Sequence, residues 1–214
     1  MKPKFLSVTG MLAALLLFCG QAGAQNKVAV KTNLLYDATL TPNLGVEWGF
    51  APQWSAQLSG SYHGTAEWWR LGGEIRLGHW LVQPQVKYWF CEKFAGAFVG
   101  INGIFGRVMA VGSFPLDFSQ INPQYGVNLR SYLMEDCPTY GVGLSAGYDF
   151  VLGRHWNLEL ELGVGYVDAI GNDYEMEKDA NGHYFLSEGA EPYYTGHHDY
   201  FGPSKLAVSL VYLF

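Results

Sequence analysis

The chain has 214 residues, 49% of them hydrophobic and 16% aromatic, with 13 Lys and Arg against 19 Asp and Glu. That length suits one domain, and a net charge of −6 argues against a nucleic-acid partner, because phosphate backbones are bound by basic surfaces. Three cysteines are too few for the disulfide framework that holds small secreted folds together.

The amino terminus reads as an export signal. Lys2 and Lys4 precede an apolar stretch from Phe5 to Phe18, and Ala22-Gly23-Ala24 has the small-x-small form cut by signal peptidase. The expected division is a leader over 1–24, cleaved after Ala24, and a mature domain over 25–214. Cys19 follows Phe18, where lipid attachment needs a small residue, so a lipid anchor is not expected. No later run reaches the roughly 18 apolar residues of a membrane helix. A mature chain that crosses a membrane must therefore do so as a closed barrel, in which every backbone polar group is paired.

In chain order, alternating segments appear from Val28 to Tyr36, then at Leu44, Val46, Trp48 and Phe50, and around Trp80, Val82, Val86, Tyr88 and Phe90. They continue through Tyr140, Val142, Leu144, Ala146, Tyr148 and Phe150, then Trp156, Leu158, Leu160, Leu162, Val164 and Tyr166, and end with Lys205 to Phe214. Three tight turns carry one repeated phrase, an aromatic or large apolar residue on each side of a few turn residues: Phe50 to Trp54, Phe90 to Phe94 and Leu152 to Trp156. The fold class expected is all-β, an eight-stranded antiparallel up-and-down transmembrane β-barrel.

Long segments at 37–43, 63–79, 107–138 and 168–204 alternate with the turns, the asymmetry of periplasmic turns and extracellular loops. Aromatic girdles are expected at Phe50, Trp54, Phe90, Phe94, Phe150, Trp156 and Phe214 on the turn side, and at Tyr36, Tyr62, Trp68, Trp69, Tyr140 and Tyr166 on the loop side. On the last strand Leu206, Val208, Leu210, Tyr212 and Phe214 share one apolar face. Tyr212 and the terminal Phe214 resemble the sorting signal read by the barrel-assembly machinery. A soluble barrel or sandwich would show the same alternation with the apolar face inside. The leader, the terminal aromatic, the girdles and the loop asymmetry favour the membrane.

With the apolar face in lipid, the other face lines a lumen. Lys31, Asn33, Glu47, Gln57, Ser59, Gln83, Gln85, Lys87, Ser145, Asp149, Glu159, Glu161 and Lys205 then point inward. Eight strands enclose a space that side chains just fill, and buried charge must be paired. The expectation is a plug in which Lys31, Lys87 and Lys205 neutralise Glu47, Glu159 and Glu161, with Asp149 in the same network. A narrow channel or transport barrel is the alternative.

Removing the leader leaves 11 basic and 19 acidic residues, and segment 168–204 holds eight acids against Lys178 alone. Its acids and aromatics, Asp173, Tyr174, Glu175, Glu177, Asp179, Tyr193, Tyr194, His197 and His198 among them, suit a recognition loop. The run Asp173 to Asp179 lacks the glycine and spacing of an EF-hand. His197-His198 beside Asp199 fixes no third ligand, so neither metal nor cofactor is expected. The chain contains no His-x-Ser, and an enzyme is not expected, although a loop-borne lipid-modifying site is a further alternative. Cys91 falls in a turn and Cys137 in a loop at the opposite end, about 25–30 Å apart, whereas a disulfide spans only about 4–7 Å. Two unpaired thiols are expected.

The segments Lys31 to Gly45 (KTNLLYDATLTPNLG) and His79 to Phe94 (HWLVQPQVKYWFCEKF) resemble the two signature blocks of a small outer-membrane family from Bacteroidota, catalogued as domain of unknown function number thirty-five seventy-five. The resemblance implies an outer-membrane location and, frequently, neighbouring genes for fimbrillin-type surface proteins. It transfers no catalytic residue. The role expected is structural, anchoring or surface-adhesion, fimbria-accessory, in a monomer whose partners are outer-membrane lipid, the assembly machinery and a surface or fimbrial protein.

Overall fold

The computed structural model describes residues 28–64, 76–112, 131–178, 184–185, 189–192 and 194–214. The expected leader over 1–24, together with Trp68, Trp69, Asp179 and Tyr193, lies outside them. The strands are β1 Val28–Asn33, β2 Asn43–Ala51, β3 Trp54–His63, β4 Arg76–Trp89, β5 Gly96–Gly112, β6 Ser131–Val151 and β7 Trp156–Lys178. They are followed by a two-residue β8, Tyr184–Phe185, and by β9, Tyr194–Leu213. Each of β1 to β7 pairs antiparallel with the next; β9 then pairs with both β7 and β1. Eight strands thus form a closed hydrogen-bonded ring, and closure removes the unpaired edges that open sheets leave.

Alternation along each strand divides the residues between two faces. Leu44, Trp48, Ile101, Leu144, Leu162 and Leu206 are all exposed on the outside of the ring, each more than half accessible. On the opposite parity Lys31, Glu47, Lys87, Glu159 and Glu161 are buried inside it. The three tight turns connect β2 to β3, β4 to β5 and β6 to β7, as the repeated phrase predicts.

The structure corrects several boundaries. β1 ends at Asn33 rather than Tyr36, because Asn33 caps a short helix α1, Leu34–Ala38, accepting from the Leu35 N–H at 3.2 Å. Asn43 accepts from the Asn33 N–H at 2.7 Å, and Asp37 accepts from Thr32 Oγ1 and Asn43 Nδ2. This local polar network outweighs the apolar alternation. The segments expected as loops at 107–138 and 168–204 are in large part strand. β5 runs to Gly112, β6 starts at Ser131, β7 runs to Lys178 and β9 starts at Tyr194, so hairpin pairing such as Ser131 with Met176 satisfies their backbone groups. Asp173, Tyr174, Glu175 and Glu177 therefore lie on β7, and Tyr194, His197 and His198 on β9.

Phe94 is not a girdle residue. It has a φ of 62° and turns into the ring, joining Trp89 and Phe98 in a cluster with Ala29, Val211 and Leu213 that closes the turn end. Cys137 is a buried thiol on β6 opposite Val108, while Cys91 lies at the bend after β4, the length of β5 away. Cys91 is disulfide-bonded in the full-length chain, whereas the expectation of two unpaired thiols concerns the chain after the leader is removed. It sits half-buried in the turn.

Interior packing leaves specific room for Phe98. A Cβ added at Gly147 would collide with the Phe98 ring and the Leu160 carbonyl, whereas one at Gly153 would meet nothing within 4 Å. Gly147→Leu is therefore expected to lower unfolding stability by about 1–3 kcal/mol or more, and Gly153→Ala to change it by no more than about 0.5 kcal/mol. Urea titration of the folded protein checks both.

Candidate functional site

The inward residues converge at one level of the ring because neighbouring strands present them in register. Glu47 pairs across β2 and β3 with Gln57, Gln57 pairs with Gln85, and Asp149 pairs with Glu159. The centre is a quartet of alternating charge. Lys31 Nζ donates to Glu47 Oε2 at 2.5 Å and to Glu159 Oε2 at 2.8 Å. Lys87 Nζ donates to the same two carboxylates, at 3.3 Å and 2.8 Å. Ser55 donates to the remaining oxygen of Glu47, and Trp89 Nε1 donates to Ser55 Oγ at 2.8 Å. Lys87 Nζ also lies 4.2 Å from the centre of the Phe98 ring, a cation–π contact that adds to the quartet. Gly45 makes this arrangement possible, since a Cβ there would come within 2.8 Å of the Lys31 stem.

A second polar group lies beside it. Lys205 donates to Gln85 Oε1 at 2.7 Å and pairs with Glu161 at 3.0 Å. Gln85 Nε2 donates to Ser145 Oγ at 2.8 Å and to Glu161 Oε1. The expected pairing of Lys31, Lys87 and Lys205 with Glu47, Glu159 and Glu161 is thus the pairing found. Asp149 differs: it is buried beside Asn157 and, among the described residues, forms no ion pair with either lysine. Glu47 and Glu159 already share the two lysines, which leaves Asp149 outside the ion-pair network that the sequence assigns it. Ser55, Trp89 and Phe98 are the participants sequence reading misses, although strand parity with Lys87 places Trp89 inward.

Beside the quartet a cavity of about 40 Å³ is bordered by Gln57, Glu161 and Lys205. That is enough for a water molecule or two.

The described residues among those expected as a recognition loop are spread along two strands. His197 Nδ1 lies 2.7 Å from Asp168 Oδ2, Tyr194 donates to the His197 carbonyl at 3.2 Å, and the Tyr194 and His198 rings meet at 5.3 Å. Tyr174 accepts weakly from Asn172, while Glu175 and Glu177 sit opposite Tyr132 and Phe185 in the strand pairing. Among the described residues no group of three His, Cys, Asp or Glu side chains is placed to hold a metal. At the turn end Tyr212 contacts Trp156 and Phe214 edge-on, both at 4.9 Å. The Phe214 N–H donates to the Val28 carbonyl at 3.0 Å, so the terminal residue is part of the ring closure.

The model of the family described as "Protein of unknown function (DUF3575)" matches residues 10–214, nearly the whole chain. No curated protein matches it.

Removing one cation leaves a buried carboxylate uncompensated. Lys87→Leu is expected to cost about 3–5 kcal/mol of unfolding free energy, and Lys87→Leu with Glu159→Gln less than the sum of the two single changes. A double-mutant cycle by chemical denaturation measures the coupling; additive effects would dissolve the quartet as a unit.

Proposed function

The chain belongs to the DUF3575 family, and from that premise we propose that it is a small outer-membrane β-barrel that anchors and displays a surface wall, in a structural or fimbria-accessory role. The observation that carries this reading is the inversion of polarity. Around a closed ring Lys31, Lys87, Glu47, Glu159 and Glu161 point inward, and apart from the buried cluster at the turn end the large apolar side chains point outward. A continuous apolar surface of this size on a protein in water would drive association, whereas in lipid it is the required solvent-facing surface.

Turn-side aromatics support a fixed depth in the bilayer. Trp54 contacts Tyr88 at 5.0 Å, Tyr88 contacts Phe90, Tyr148 contacts Phe150 at 4.6 Å, and Trp156 contacts Tyr212. These pairs form a belt of amphipathic rings suited to a headgroup interface. With the tight turns in the periplasm, the leader over 1–24 directs export, and the Tyr212 and Phe214 end is recognised by the barrel-assembly machinery. The strand extensions β5 to β7 and β9 then rise from the outer leaflet as a wall carrying Tyr194, His197 and Asp199, and this wall is the surface offered to a surface or fimbrial protein. The paired charges inside favour a plugged monomer over a transport pore.

Three measurements test the reading. Leu144→Arg places a charge on the lipid face and is expected to cost about 2–4 kcal/mol of stability in bilayers, against a small effect if that face meets water. An epitope inserted at Gly189 is expected to be reached by antibody on intact cells, and one at Gly153 only after the envelope is opened. The reverse pattern would invert the topology. In planar bilayers the native protein should show no steady conductance; an ohmic pore would replace this reading with the channel.

A further inference from the structure

β1 stops at Asn33, but its neighbour β9 continues past that level for more than ten residues. The Asn33 side chain makes the last link, donating to the Leu206 carbonyl at 3.3 Å and accepting from the Val208 N–H at 3.2 Å. Above it, among the described residues, β9 has no strand partner on this side, and α1 crosses the gap instead. The result is a break in the wall whose outer lip is formed by Leu35 on α1 and Leu206 on β9, both exposed.

Behind the lip lies a cavity of about 420 Å³, within the roughly 300–1,000 Å³ range of small-molecule sites. Its lining is mostly apolar, and its inner wall carries Tyr36, His63, His79 and Lys205. Although the protein is acidic, no carboxylate is among the described residues of the lining. The two imidazole rings stack with centres 6.0 Å apart, held by Thr41 at 2.9 Å from His63 Nδ1 and by Ser61 at 3.3 Å from His79 Nε2. Glu161 and Gln85 engage two of the three donors of the Lys205 ammonium.

An apolar slot that opens at an apolar lip and ends at two imidazoles and the Lys205 ammonium matches one ligand chemistry. We propose that this cavity binds a long acyl chain bearing an anionic head, the chain entering between Leu35 and Leu206 and the head lying against His79 and Lys205. The inference deepens the proposed function, because the lip then opens toward the outer leaflet.

The test uses the protein extracted in a neutral detergent, with cis-parinaric acid as fluorescent probe and palmitate or hexadecanol as competitor. Palmitate is expected to displace the probe at about tenfold lower concentration than hexadecanol. His79→Leu should abolish that preference, and Thr39→Trp, which fills the cavity mouth, should weaken both competitors about tenfold. Variants are compared only where they keep heat-modifiable migration on gels. Equal displacement by palmitate and hexadecanol in the native protein, or unchanged probe binding in Thr39→Trp, overturns the proposal. Mass spectrometry of organic extracts from the purified protein separates a free fatty acid from a membrane phospholipid as the source of the chain. Because binding is read in detergent, its failure leaves the membrane reading to the Leu144→Arg result.

Discussion

Lys31, Glu47, Lys87 and Glu159 are four buried charges that cannot exist apart. Each lysine contacts both glutamates within hydrogen-bond distance, and all four sit at 5% exposure or less. The desolvation of an ion costs several kcal/mol, so a lone member would be untenable. Their common location fixes which face of β1, β2, β4 and β7 turns inward, and strand periodicity then sends the alternate residues outward. The register of the ring, the apolar exterior and the closed interior all follow from keeping this quartet together. The cluster of Trp89, Phe94 and Phe98 beneath it keeps that end dry, and low polarity strengthens each charge contact.

The ring itself is lopsided. β1, β2 and β3 have 6, 9 and 10 residues, whereas β6, β7 and β9 have 21, 23 and 20. At about 3.3 Å per residue the long strands extend well beyond what is needed to cross a bilayer, roughly 9–11 residues when tilted. The short side carries α1 and the cavity; the long side carries the wall. Register shifts near Val108, Glu135 and Gly163 lie along the long strands, where bulges let an extended sheet bend.

Much of this arrangement is legible in the sequence, for physical reasons that differ by residue. Inward positions such as Lys31, Glu47 and Glu159 stand out because a charge recurring every second residue among apolar neighbours has one placement in a ring of strands. The tight turns are readable because the phrase around Pro52, Cys91 and Arg154 repeats. The end of β1 is not, since Leu34, Leu35 and Tyr36 extend the apolar pattern and only the capping by Asn33 reveals the helix. Nor are the long hairpins. Polar and acidic residues such as Asp173 and Glu175 read as loop, and their strand state is decided by partners distant in sequence, Met134 and Tyr132. Asp149 shows a further limit: parity places it in the lumen, but which carboxylates share two lysines is settled by three-dimensional distance. The cavity leaves no sequence signal, because His63, His79 and Lys205 meet only once the ring has closed.

Which solvent meets the outer face is the question on which everything else turns. Spin labels introduced singly at Val86, Leu144 and Leu162, and at the inward positions Gln85 and Ser145, report collision with oxygen, which concentrates in lipid, and with a water-soluble nickel complex. The account predicts high oxygen and low nickel accessibility at the three outward sites in reconstituted bilayers, with both low at the two inward ones. High nickel accessibility at Val86, Leu144 and Leu162 would place the apolar face in water and contradict the membrane barrel.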